Sequence, residues 1–174
     1  MVHVMVEPIH PFKVSYRPMA LEDVEVVHRL DEQSFNLPWP ERSFRYELTQ
    51  NPNAMCWVAE VETAEATRVI AGMVVVWLIV DEVHIGTVAV NSAYRRQGIG
   101  RQLVARSLLA GALKGARMGF LEVRRGNLAA QTLYLQMGFE MVGERRRYYH
   151  DNNEDALLMT LNNLDQVTLR TWIK

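Results

Sequence analysis

The sequence predicts an α/β domain with a mixed central sheet, and three features carry that expectation. Short β-branched stretches give way to a 3.6-residue apolar period and then return, with a strand, a glycine turn and a helix following one another between Val83 and Leu113. The strand-helix-strand crossover from Val83 to Val123 demands a parallel pair, whereas the hairpin from Met55 to Leu78 is antiparallel. The 174 residues, 49% hydrophobic and 22% charged, have the size and composition of one domain that buries about 70% of its unfolded surface.

Taken in order, residues 1–12 hold two prolines and no period, so the domain is expected over 14–162, with extensions at 1–13 and 163–174. Val14–Arg17 is a short first strand. From Ala20 to Leu30, apolar Leu21, Val24, Val27 and Leu30 recur at helical spacing, with Glu22, Asp23 and Glu25 at the end where the dipole favours acids. Pro38 and Pro40 around Trp39 make a rigid aromatic loop, and Glu41–Leu48 is a second helix stopped by Asn51-Pro52. Met55–Val61 and Val69–Leu78 form a hairpin around a polar turn, and Val83–Val90 is the next strand. The period then becomes helical from Ile99 to near Gly115. Phe120–Val123 is a strand, Asn127–Met137 a helix closed by Gly138, and Phe139–Val142 and Ala156–Leu161 are the last strands. The expected sheet therefore has about six to seven strands and about four flanking helices.

Composition excludes several functions. A net charge of −1 provides no global field for nucleic acid or an anionic membrane, so neither partner is expected. The one basic run, Arg145-Arg146-Arg147, is either a solvated hairpin arm or a dock for an acidic partner. Cys56, the single cysteine, sits between Met55 and Trp57 as a small apolar residue, which suits a reducing, cytoplasmic compartment. No basic stretch followed by an apolar block opens the chain, so no secretory leader is expected, and the apolar run Val69–Val80 falls short of the ~20 residues that cross a bilayer. No metal-ligand set is expected.

The segment Arg95-Arg96-Gln97-Gly98-Ile99-Gly100-Arg101 lies between a strand and a helix. Glycines there can take positive φ and let backbone N–H groups converge on an anion at the helix N-terminus, or they merely turn the chain. A Walker loop lacks its Gly-Lys-Ser/Thr, and a dinucleotide fingerprint would need glycine where Leu103 stands. Three further residues have chemical interest. Glu122 interrupts the apolar strand Phe120–Val123 and either pairs with Arg124 on the same face or looks into a cleft. Asn127 and Tyr134, seven apart on a helix, point to one side, where they cap and pack or line a ligand.

On these residues the chain resembles the GNAT superfamily of acetyl-CoA-dependent N-acetyltransferases. Arg/Gln-x-x-Gly-x-Gly/Ala after the fourth strand is similar to their pyrophosphate loop, and Asn127 through Tyr134 to Gly138-Phe139 is similar to the second half of their signature. Within the superfamily the likeness is to RimI-like ribosomal-protein-alanine acetyltransferases. It is carried by Leu121-Glu122-Val123-Arg124, Asn127, Leu133-Tyr134, Gly138-Phe139, Pro38-Trp39, and Arg146-x-Tyr148-Tyr149 ahead of Glu154-Asp155-Ala156, over most of 15–161. The resemblance implies the GNAT fold and acetyl-CoA as co-substrate. It assigns the cofactor to Val88, Ala89, Val90, Arg95, Arg96, Gln97, Gly98, Ile99, Gly100, Arg101, Asn127 and Tyr134, with Val90 N–H toward the developing oxyanion. It makes Glu122 the general base and Tyr134 the general acid, with Pro38, Trp39, Tyr148 and Tyr149 around the acceptor. The implied acceptor is a protein N-terminus, that of a small-subunit ribosomal protein. A lysine or small-molecule acetyltransferase, or a non-catalytic acyl-CoA-binding scaffold, would share the cofactor motifs.

Overall fold

The structure, a computed structural model, describes residues 13–63 and 67–174. The expected extension over 1–12 and the tip of the polar turn, 64–66, lie outside the described residues. Among the described residues seven strands make one sheet in the order β1-β2-β3-β4-β5-β7-β6. They are β1 Lys13–Pro18, β2 Ala54–Glu62, β3 Arg68–Ile79, β4 Glu82–Val90, β5 Met118–Arg124, β6 Glu140–Tyr149 and β7 Glu154–Asn162. Only β4 and β5 pair in parallel, and the connection between them is α3, Ile99–Leu113. The sheet is mixed, as its one crossover required.

Helices cover both faces. On one side α1, Val24–Ser34, and α2, Glu41–Thr49, bury Val24, Val27, Leu30 and Phe44 against Val58, Met73 and Val75. On the other, α3 and the short C-terminal α5, Gln166–Trp172, cover Val74, Val76, Val83 and Leu121. Strand β3 supplies alternate residues to each layer, which is why Val69–Leu78 is an unbroken apolar run rather than an alternating one. Phe44 is fully buried, and truncating it to alanine would cost about 3–5 kcal/mol. Cys56 belongs to this layer too, where burial pushes its thiol up to about 12.

Three elements depart from expectation. The first helix begins late: Leu21–Asp23 is a 3-10 turn because the Asp23 carboxylate draws in Ala20 N–H at 2.7 Å and the Arg17 guanidinium, tightening the entry, and α1 then runs on to Ser34. Strand β6 runs to Tyr149 instead of stopping at Val142, because its backbone pairs with β7 whatever its side chains are. The tail after Leu164 forms α5, capped by Asp165 at Thr168 N (2.8 Å) and docked on α3 through buried Leu169 and a Gln102 Nε2 bond to Trp172 O (2.7 Å). The helices thus number five among the described residues, one more than expected.

Candidate active site

Strands β4 and β5 pair only over Glu82–Ile85 and Met118–Leu121, and then separate. The cause is local. Gly86 is the extra residue of a bulge, since Val75 faces Thr87 while Val76 faces Ile85. A Cβ on Gly86 would lie 2.6 Å from the Trp77 ring, so glycine lets that ring pack flat on the bulge. Beyond it β4 stays on β3 to Val90, and β5 stays on β7 to Arg124. Asn91 N–H donates to Ala71 O at 2.8 Å, so the antiparallel alternation turns the amides of Val90 and Val88 toward the opening.

One cavity, about 560 Å³, lies at the outer end of this opening. Val88, Ala89 and Val90 form one wall and Asn127, Ala130 and Tyr134 of α4 (Leu128–Gln136) the other. The glycine loop closes its end: Arg95, Arg96, Gly98, Ile99, Gly100 and Arg101 all line it, and Gln97 alone of the expected loop residues does not. Gly98 has φ +80° and caps α3, Arg96 is also left-handed, and the first helical bond is Gln102 N to Gly98 O. The amides of Ile99, Gly100 and Arg101 therefore have no partner within the helix and sit at its positive end. A Cβ on Gly98 would meet nothing within 4 Å, so the chain leaves the space beside Gly98 open, and Gly98 to Arg101 all line the cavity. These features fit the diphosphate and pantetheine of acetyl-CoA: an anion nest, then a strand edge with free amides.

A second cavity, about 210 Å³, continues inward and is lined by Glu122, Arg124, Tyr149, Trp39, Phe35 and Leu37 among others. Tyr134, Asn127, Ala130, Phe35 and Val88 line both, so the cavities meet at Tyr134. Its ring is 7% exposed, tilted against Phe139 at 5.6 Å, and burial holds the phenol well above its usual range. Asn127 does both things its position allowed: Oδ1 accepts Ala130 N–H at 3.1 Å, capping α4, and the residue lines both cavities.

A model of the acetyltransferase (GNAT) family matches residues 24–139. The chain belongs to this family. It is 37% identical over 147 residues, 84% of this chain and 94% of the other, to a candidate ribosomal protein bS18-alanine N-acetyltransferase of Bacillus subtilis. The crystal structure of the ribosomal-protein-S18-alanine N-acetyltransferase from Escherichia coli superposes with a TM-score of 0.75 at 26% identity, covering 87% of this chain and 94% of that one. The NatC complex bound to Gag peptide and CoA gives 0.78 at 25% identity, with 86% and 98% coverage.

In this GNAT chain the presumed surface pair of Glu122 with Arg124 does not form. Arg124 binds Asp151 at 3.0 Å and Glu154 at 3.1 Å and stacks over Tyr149 at 3.8 Å, whereas Glu122 pairs with Arg145 at 2.8 Å and hydrogen-bonds the Tyr148 hydroxyl, holding that phenol above its usual value. The basic run is an exposed arm, as one of its two readings expected: Arg145 pairs with Glu122, Arg146 with Glu144, and Arg147 donates its backbone N–H to Asp155. Trp39 lines the inner cavity, with its N–H on buried Asp31 at 2.7 Å and its ring stacked on Trp77 at 5.8 Å, while Pro38 is exposed and off the cavity. Tyr149 lines it; Tyr148 reaches it only through Glu122. Sequence reasoning missed Phe35, Leu37, Gly86 and Asp31, and it offered Arg145 only as part of a basic run, not at this cavity. Only Gly86, a glycine inside a strand pattern, carried a local signal. Among the described residues no cluster of three His, Cys, Asp or Glu could hold a metal, and no helix is long and apolar enough to cross a membrane.

Proposed function

We propose that this protein transfers the acetyl group of acetyl-CoA to the α-amine of a protein N-terminus, with the N-terminal alanine of a small-subunit ribosomal protein as acceptor. One observation carries the reading: the two cavities of the splayed strands meet at Tyr134, an anion nest at the far end of one and a carboxylate, Glu122, in the other. The relatives named for alanine N-acetylation of a ribosomal protein support the acceptor.

Acetyl-CoA supplies an acyl group already activated as a thioester. The loop amides of Ile99 to Arg101 hold its diphosphate, the Val90 amide its pantetheine arm, and the N–H of Val88, which lines both cavities, polarises the acyl oxygen in place of the expected Val90, which lines only the outer one. An α-amine with a pKa of about 8 enters mostly protonated, and Glu122 accepts that proton. As nitrogen bonds to the acyl carbon and the carbon–sulfur bond breaks, Tyr134 donates its proton to the sulfur. Its raised pKa keeps it protonated throughout the neutral range. Trp39 and Tyr149 wall the acceptor's first residues, and holding amine and acyl carbon together supplies much of the acceleration.

Mass spectrometry of short peptides incubated with the protein and acetyl-CoA tests this. Free N-termini should gain one acetyl group, and peptides with blocked N-termini and free lysines should stay unmodified. Efficient lysine acetylation would overturn the acceptor assignment.

A further inference from the structure

The contact between Glu122 and Arg145 has no role in the chemistry just described, yet it takes up the carboxylate of the acceptor cavity, with Arg145 itself reaching Glu122 from outside the residues that line that cavity. Arg145 Nη1 lies 2.8 Å from Glu122 Oε1. The two ends differ in exposure: the glutamate side chain is 21% exposed and the arginine 51%, and both also touch Tyr148, whose hydroxyl hydrogen-bonds each of them and whose ring lies under the guanidinium at 5.3 Å. Its backbone is the last regular pair of β6 with β7, Arg145 with Ala156, before the register slips around left-handed Arg147. Three nearby guanidiniums pair elsewhere: Arg124 with Asp151 and Glu154, Arg125 with Glu144 and Asp155, Arg146 with Glu144. Among the described residues Arg145 is the cation on the carboxylate of the acceptor cavity.

We propose that Arg145 gates the acceptor site: its guanidinium occupies Glu122 until a cationic N-terminus displaces it, and it returns once acetylation has made that N-terminus neutral. An incoming α-ammonium carries the same charge and several N–H donors, so it replaces the guanidinium one for one. The acetylated product has a single neutral amide N–H and cannot hold the carboxylate against it. The exchange is cheap because the guanidinium end of the pair is 51% exposed, and a pair open to solvent at one end is worth about 0.2–1 kcal/mol, a factor of roughly 1.4–5 in binding. The gate therefore selects charge and clears product without blocking substrate. It rests on the reading of Glu122 as the base.

The test is steady-state kinetics of the full chain with acetyl-CoA and a peptide bearing a free N-terminal alanine. Arg145→Gln should lower the peptide KM about two- to fivefold, within the reach of an exposed pair, with little change in kcat. The N-acetylated peptide and free guanidinium ion should each inhibit this variant competitively against peptide, and more strongly than they inhibit the parent. Arg145→Lys, still a cation, should behave like the parent. A raised or unchanged peptide KM in Arg145→Gln, or a fall in kcat alone, overturns the gate while leaving the base in place. Full activity of Glu122→Gln removes the base assignment and the gate with it.

Discussion

The loop assignment can be tested by two glycine substitutions with opposite physical consequences. Gly98 sits at φ +80°, where an L-residue costs about 1–2 kcal/mol, yet a Cβ there meets no atom within 4 Å. Gly98→Ala should therefore lower the melting temperature of the ligand-free protein by roughly 2–8 °C, at 2–4 °C per kcal/mol for a chain of this size. Gly100 is helical, and its Cβ would lie 3.6 Å from Val90 and 3.7 Å from Leu133, ordinary contact distances. Alanine fits there without strain, but the second and third carbons of valine must grow from that point into the cavity that Gly100 lines. Gly100→Val should fold with a near-parental melting temperature and lose acetyl-CoA. For the parent, acetyl-CoA at a hundred times its Kd contributes about 2.7 kcal/mol, a rise of roughly 5–11 °C on the same scale. That rise should vanish in Gly100→Val and persist in Gly100→Ala. Thermal melts with and without acetyl-CoA, checked by calorimetric titration, measure both quantities. A folded Gly100→Val protein that keeps the full ligand-induced rise would refute the diphosphate placement.

Glu122→Gln should reduce kcat/KM by a factor on the order of 10² at neutral pH and recover partly above the amine's pKa of about 8, whereas Tyr134→Phe, lacking the donor to sulfur, should stay impaired across pH; parallel pH profiles would dismiss the two-role assignment. Gly86→Ala puts a Cβ 2.6 Å from the Trp77 ring, and an overpacking cost of about 1–3 kcal/mol should lower the melting temperature while the displaced Trp77–Trp39 stack raises the peptide KM; an unchanged melting temperature would count against the bulge argument. Asp31 is fully buried, and desolvation raises its pKa, so its favourable contribution is complete below about pH 4, where the unfolded carboxyl is also protonated, and is lost as pH rises through the native pKa. Asp31→Asn should therefore gain on the parent in melting temperature as pH rises above about 4, and a difference constant with pH would refute this.

What the sequence determined by itself was whatever depends on neighbours along the chain. The two-faced burial of β3 shows as an unbroken apolar run, the helical period places Asn127 and Tyr134 on one side of α4, and the glycines after β4 mark where the backbone must turn left-handed. These are properties of dihedral preference and repeat, and both are written locally. What the tertiary structure decided was pairing across distance. Glu122 and Arg124 share a face of β5, yet Glu122 binds Arg145 because β7 aligns Leu158 between Glu122 and Gly143 and brings β6 to that side, two strand spacings or roughly 10 Å away. Arg124 is drawn off by Asp151 in the turn that joins those strands and by Glu154 at the start of β7. Register also set the length of β6, since ladder hydrogen bonds belong to the backbone and leave no mark in the Arg145–Tyr149 side chains. The separation of β4 from β5, on which the whole site depends, required Trp77 of β3 to lie on Gly86 of β4, a contact that exists only once the hairpin has closed.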